Sequence, residues 1–207
     1  MSIYAIGDIH GCYSELCTLL NMINLKEDDT IVFLGDYIDR GPDTAKVIKK
    51  LIEIKSTFSS SYFLKGNHEE MFLTPYMKYI WLQNGGKKTI KSYYKEGYDG
   101  RFPREHITFM QKLSPYIIID DYCFVHAGFV PEISIEENDE DDILWMREEF
   151  ITSNYDWGKK IIFGHTVLKF PLINDNKIGI DTGCFKTGIL TAVKLPEIDI
   201  IQTRRVE

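Results

Sequence analysis

The sequence predicts an α/β fold with two sheets, and three observations carry that prediction. Apolar runs alternate with amphipathic helical stretches over the first third, the pattern of a parallel sheet with crossover helices. A middle segment, 69–113, places apolar and aromatic residues at helical intervals, as a helical insertion beside a sheet would. Beyond it come six short apolar runs, which suit a second, mixed sheet.

In chain order, a strand is expected at 3–6 (Ile3-Tyr4-Ala5-Ile6), then a helix over 13–23 with Leu16, Leu19, Leu20 and Ile23 on one face. A second strand, Ile31-Val32-Phe33-Leu34, leads to Pro42, whose missing N–H costs nothing at a helix start. Val47, Ile48, Leu51 and Ile54 then keep helical spacing over 44–54, and a third strand follows at about 60–65. Asn84-Gly85-Gly86 and Gly97-Tyr98-Asp99-Gly100 divide the insertion into three helices. Strands are expected at 116–119, 122–125, 161–163, 178–180, 189–195 and 198–202, with hairpin turns at Asp120-Asp121 and Pro196-Glu197.

The chain of 207 residues is 44% hydrophobic and 27% charged, with no internal repeat or low-complexity linker, so it reads as one globular domain spanning 1–207. No apolar run reaches the about 20 residues of a membrane span, and no basic n-region precedes an apolar stretch. Cys12, Cys17, Cys123 and Cys184 form no C-x-x-C pair, so reduced thiols in a cytoplasmic protein are expected. The net charge of −7 argues against a nucleic-acid-coating surface but not against an anionic substrate, because bound cations can reverse the local field. No coiled-coil or interface signal appears; a monomer is expected and the oligomeric state stays open.

Four of the five histidines sit in short glycine-bearing blocks: Gly7-Asp8-Ile9-His10-Gly11, Gly66-Asn67-His68-Glu69, Val125-His126-Ala127-Gly128 and Gly164-His165-Thr166. A fifth block, Gly35-Asp36-Tyr37-Ile38-Asp39-Arg40-Gly41, has two carboxylates and an arginine. Asp8 and His10, one residue apart on an extended segment, point the same way and can grip one cation. Asp36, after the next strand, can bridge two. Asn67 adds a neutral oxygen, and His126 and His165 add nitrogens. The set is then binuclear: Asp8, His10 and Asp36 on one metal; Asp36, Asn67, His126 and His165 on the other.

Two cations so held share a water, lower its pKa and hold entering and leaving oxygens of a phosphoryl group, so an activated hydroxide attacks phosphorus in line. Arg40 and Arg147 are the candidates for the remaining phosphate oxygens, since a guanidinium fork matches them; for Arg147 a helix-surface ion pair is the competing reading. His68 is free to act as general acid, held by Asp39, which matters most for the alkoxide of a serine or threonine ester.

The blocks GDIHG, GDYIDRG, GNHE, HAG and GHT, in this order over 7–166, resemble the PPP family of metallophosphatases. Trp81, Asn84-Gly85-Gly86, Thr89, Ser92-Tyr93, Asp181-Thr182-Gly183-Cys184 and Leu190-Thr191-Ala192 are similar to its compact bacterial and phage protein phosphatases. The resemblance implies a four-layer α/β/β/α sandwich, a Mn²⁺-type dinuclear centre (Fe and Zn²⁺ left open) and hydrolysis of phosphoserine or phosphothreonine. It places metal ligands on Asp8, His10, Asp36, Asn67, His126 and His165, phosphate arginines on Arg40 and Arg147, and the acid and its partner on His68 and Asp39. Nucleases and cyclic-nucleotide phosphodiesterases of the wider group end in G-H-x-H; here Val167 replaces that histidine, which points to a phosphomonoesterase. The competing readings are a dinucleoside tetraphosphate hydrolase with the same motifs and a non-catalytic phosphate-binding module. The expected partner is a phosphoprotein or phosphopeptide.

Four further features take plain readings. His106 reads as a surface helix residue, and the acidic stretch 136–142 as a solvated loop leading into a helix. Asp181 reads as a strand-end turn residue outside the site. Cys184 reads as a loop residue able to overlook the cleft.

Overall fold

The computed structural model describes residues 2–203. Its first part is β1 (Ile3–Ile6), α1 (Tyr13–Ile23), β2 (Thr30–Phe33), α2 (Thr44–Thr57) and β3 (Ser61–Phe63). The insertion holds α3 (Asn67–Leu73), α4 (Lys78–Trp81), α5 (Lys87–Lys95) and α6 (Arg104–Gln111). Then come β4 (Tyr116–Ile119), β5 (Tyr122–Val125), α7 (Glu140–Trp145), α8 (Glu148–Thr152) and β6 (Lys160–Phe163). The last elements are β7 (Leu172–Ile173), β8 (Lys177–Gly179), α9 (Cys184–Thr187), β9 (Thr191–Leu195) and β10 (Asp199–Gln202).

The strands form two five-stranded mixed sheets, ordered β10-β9-β1-β2-β3 and β4-β5-β6-β8-β7. Strand alternation divides their side chains among three cores. Ile3, Ala5 and Val32 face Phe124, Ile162 and Ile178 between the sheets. Tyr4, Ile6, Ile31 and Phe33 point the other way, against Leu16 and Leu19 of α1 and Val47, Ile48 and Leu51 of α2. On the far side, Cys123, Val125, Ile161 and Phe163 pack under Ile143 of α7 and Phe150 of α8. The result is the four-layer α/β/β/α sandwich that the family resemblance implies. No helix among the described residues is long and apolar enough to cross a membrane.

Both expected hairpins are present, β4–β5 and β9–β10, as antiparallel pairs. The glycines at 84–86 do not end a helix. Backbone hydrogen bonding continues through a π-helical turn, and the chain kinks at Gly85, where φ is 114°. β7 was not anticipated; two residues are too short to show a period. His106 corrects the surface expectation, since it is buried and its Nδ1 meets the Tyr93 hydroxyl at 2.8 Å. Its polar neighbours in sequence hid that it turns inward onto Tyr93 and Tyr98. The acidic stretch does run into a helix: Asp139 caps α7 by accepting the Asp142 N–H.

Candidate metal centre

Every block lies at the carboxyl end of a strand, where an open α/β sheet places its ligands. Asp8 and His10 follow β1, Asp36 follows β2, Asn67 follows β3, His126 follows β5 and His165 follows β6. The turns that aim them are tight. His10, Asp36, Asp39, Arg40 and His165 all have positive φ, between 44° and 71°. Non-glycine residues rarely hold that conformation, and surrounding structure must impose it.

Glu69 supplies much of that constraint. Its carboxylate is fully buried and accepts four backbone N–H bonds, from Asp36, Tyr37, Ile38 and Gly66, at 2.9–3.2 Å. Burial first, then the Asp36 charge, pushes its pKa up, while His68 and the Ile38 and Gly66 N–H groups oppose the rise and favour the carboxylate. Glu69 is therefore the residue that shapes the Asp36 turn. The GNHE block contained it, but nothing in a sequence distinguishes a carboxylate facing inward from one facing solvent.

Imidazole orientation is equally fixed. Nδ1 of His10 donates to the Ile38 carbonyl and Nδ1 of His126 to the Leu34 carbonyl, both at 2.8 Å. Their Nε2 atoms then stand 3.4 Å from Asp36 Oδ2 and Oδ1 respectively. Asn67 Oδ1 lies 3.2 Å from His126 Nε2 and 3.1 Å from His165 Nδ1. Burial lowers the pKa of His10, His126 and His165, the last to about 2, so all three are neutral with lone pairs to offer. Burial works against a charge on Asp36, but the attraction of the surrounding histidines outweighs it and holds the carboxyl well below its ordinary value. An anion ringed by imidazole nitrogens and an amide oxygen fits a pair of divalent cations.

The donor atoms close into two groups within 4.8 Å: Asp36, His126 and His165; and His10, Asp36 and His68. Asp8 is buried beside them, its carboxylate accepting the His165 N–H at 3.0 and 3.1 Å. The geometry thus links five of the six sequence-predicted ligands, His10, Asp36, Asn67, His126 and His165, through side-chain contacts of 3.1–3.4 Å; Asp8 lies outside both groups, and His68 stands beside His10 and Asp36 where Asp8 was expected.

His68 is distinguished by its partners. Its Nδ1 meets Asp39 Oδ2 at 2.6 Å, and its Nε2 is buried with no partner. Asp39 is saturated on its other oxygen by Trp81 Nε1 at 2.9 Å and the Thr89 hydroxyl at 2.7 Å. A carboxylate receiving donors on both oxygens stays an acceptor, so His68 Nδ1 carries the hydrogen. Burial opposes charge on His68, yet Asp36 and Asp39 together raise its pKa above the imidazole value. Trp81 and Thr89 come from the insertion, which is how that segment serves the site.

Arg40 Nη1 reaches His10 Nε2 at 2.8 Å, and its guanidinium lies 4.9 Å from the centre of the Phe185 ring. Arg147 Nη1 approaches the His165 carbonyl at 3.5 Å. Both arginines therefore border the centre, and neither forms an ion pair with a carboxylate among the described residues. The surface ion-pair reading of Arg147 is not what the fold shows. Asp181 revises the sequence reading. It is a turn residue, accepting the Gly183 N–H at 2.8 Å, but it is also buried at the site with Oδ2 unpartnered. Burial raises its pKa to about 6, and its charge in turn helps raise that of Asp8. Cys184, expected in a loop, is the buried first residue of α9.

A phosphoesterase is the class of protein that this fold and site describe. A model of the calcineurin-like phosphoesterase family matches residues 1–185, and the chain belongs to that family. A serine/threonine-protein phosphatase 2 from Salmonella typhimurium is 30% identical, covering 93% of this chain and 92% of its own length. An asymmetrical bis(5'-nucleosyl)-tetraphosphatase PrpE from Geobacillus sp. is 29% identical, covering 97% and 93%. Among solved structures, one proposed to be a diadenosine tetraphosphatase superposes with a TM-score of 0.75 at 24% identity, over 98% of this chain and 92% of that one. A serine/threonine phosphatase from Saccharomyces cerevisiae superposes with a TM-score of 0.70 at 16% identity, over 100% and 81%. These structural likenesses concern the fold.

Proposed function

We propose that this metallophosphoesterase is a phosphomonoesterase acting on phosphoserine and phosphothreonine in cytoplasmic phosphoproteins. In this reading Asp8, His10 and Asp36 hold one divalent cation, and Asp36, Asn67, His126 and His165 hold a second, manganese before iron or zinc. When bound, such a pair supplies positive charge and an acidified water for attack on phosphorus. The chain's own residues supply the rest. Arg40 and Arg147 bind the outer phosphoryl oxygens and orient the group, a task that suits the guanidinium fork. His68 Nε2 delivers a proton to the departing oxygen, and Asp39 holds the ring and keeps it charged.

The His68–Asp39 pair is the observation that carries the proposal. A buried acid with a raised pKa is an arrangement whose benefit grows with the basicity of the leaving oxygen. A serine or threonine alkoxide needs that proton far more than a phenolate or a phosphate does. The second reading, hydrolysis of dinucleoside tetraphosphates, is favoured by the tetraphosphatase relatives that align over nearly the whole chain. Its leaving group is a nucleotide phosphate, for which the acid contributes little. Purified protein loaded with Mn²⁺ separates the two when kcat/KM is measured on a phosphoserine and phosphothreonine peptide panel and on diadenosine tetraphosphate. The proposal expects the peptides to lead; a large preference for the nucleotide overturns it and supports the second reading.

A further inference from the structure

One other group of metal-ligating side chains closes within 4.8 Å among the described residues: Cys12, Glu15 and Cys184. Cys12 precedes α1 and Glu15 lies in its first turn, three residues on, so both look out from one side of the helix start. Cys184 arrives from the opposite direction, as the first residue of α9 after the loop beyond β8. The two cysteines are 6% and 3% exposed, while Glu15 is half-buried. A cavity of 380 Å³ opens onto all three and is also lined by Asp43 and Phe185. Neither thiol has a part in the phosphoryl chemistry derived above.

We propose that Cys12, Glu15 and Cys184 form a binding site for a thiophilic divalent cation of the zinc or cadmium class, adjoining the phosphoesterase centre through the Cys12 Sγ contact with the His10 carbonyl but using none of its ligands. Ligand chemistry makes the distinction, because thiolates select soft cations whereas the main centre offers only nitrogen and oxygen. The geometry is close to what such a cation needs. With metal–sulfur bonds of about 2.3 Å in a tetrahedron, two thiolate sulfurs stand about 3.8 Å apart, so displacements on the order of 1 Å close the set. Binding replaces the two thiol protons, which pass to solvent, and Glu15 enters as its carboxylate. The fourth position faces the cavity and takes water. The site is one residue from Phe185, whose ring packs 5.3 Å from His10 and 4.9 Å from the Arg40 guanidinium.

Cadmium is the probe, because its thiolate complexes show an ultraviolet sulfur-to-metal charge-transfer band that nitrogen and oxygen ligands cannot produce. The reduced, manganese-loaded full chain is titrated with Cd²⁺. The expected result is a band that saturates near about one equivalent in wild type. It is lost in Cys12→Ser and in Cys184→Ser, and kept in Cys17→Ser. Glu15→Gln, a surface-tolerant change that retains both thiols, weakens cadmium affinity by roughly tenfold or more. Cys184→Ser without cadmium keeps p-nitrophenyl phosphate hydrolysis within about twofold of wild type, which shows that it has folded. A band that survives in Cys184→Ser, an unchanged affinity in Glu15→Gln, or no saturable band in wild type overturns the site. None of these outcomes touches the phosphatase reading, which stands or falls on the substrate panel.

Discussion

His68 differs from the other three imidazoles of the centre in what its Nδ1 meets. His10 and His126 anchor Nδ1 on backbone carbonyls and His165 sets it against the Asn67 amide oxygen, whereas His68 anchors Nδ1 on a carboxylate. The neutral acceptors suit a neutral ligand; the carboxylate suits a charged acid. A pH dependence follows with a definite sign. In the proposed reading protonated His68 is the active form, and its pKa is raised above 6.5 by Asp36 and Asp39 against the cost of burial. The kcat/KM profile should therefore fall on its alkaline side, at a pH above the ordinary imidazole range. Asp39→Asn removes one of the supporting charges, so that falling limb should move to lower pH with the metal content unchanged. A limb that stays in place would show that another group titrates there. The sequence disclosed His68 and Asp39 through their blocks, but the donors that saturate Asp39, Trp81 and Thr89, lie more than 40 residues further along the chain. No spacing rule links such distant positions.

Among the elements, the loop after β2 and the start of α3 behave as a single unit because Glu69 ties them. Glu69→Gln leaves an amide where a carboxylate oxygen met two N–H groups, so buried donors lose their acceptor. A destabilisation of about 2 kcal/mol is expected in denaturant unfolding, together with weaker metal binding. Stability within a few tenths of wild type would mean that the loop holds its shape without Glu69. Gly66 makes the same point sterically, since a Cβ there would collide with the Asp36 carboxylate and its backbone nitrogen. Gly66→Ala should therefore abolish metal-dependent turnover before it abolishes folding, as a metal titration monitored beside circular dichroism would show. Strands and helices were legible because their apolar periods are strong. The His106 burial and the two-residue β7 were not, because one depends on tertiary contact and the other is too short to carry a period.

For the whole molecule, the centre draws its groups from both sheets: Asp8, Asp36 and Asn67 from one, His126 and His165 from the other. Cations bound there would join the two halves of the sandwich. Chelation should abolish hydrolysis and lower Tm, and Mn²⁺ at about 100 times its Kd should restore activity and about 2.7 kcal/mol of stability. Restored activity without any rise in Tm would contradict a centre shared between the sheets. The order of the blocks along the chain made this architecture readable, whereas the choice between a protein and a nucleotide substrate rests on the division of labour among the histidines. That division is tested most directly by the cost of His68→Asn on two substrates, a phosphoserine peptide and p-nitrophenyl phosphate, measured as kcat/KM with Mn²⁺. A general acid contributes about 10²–10⁴-fold to a basic leaving group and far less to an activated phenolate, so the peptide should lose at least about tenfold more. Equal losses on the two substrates would contradict the account and remove His68 from the role of general acid.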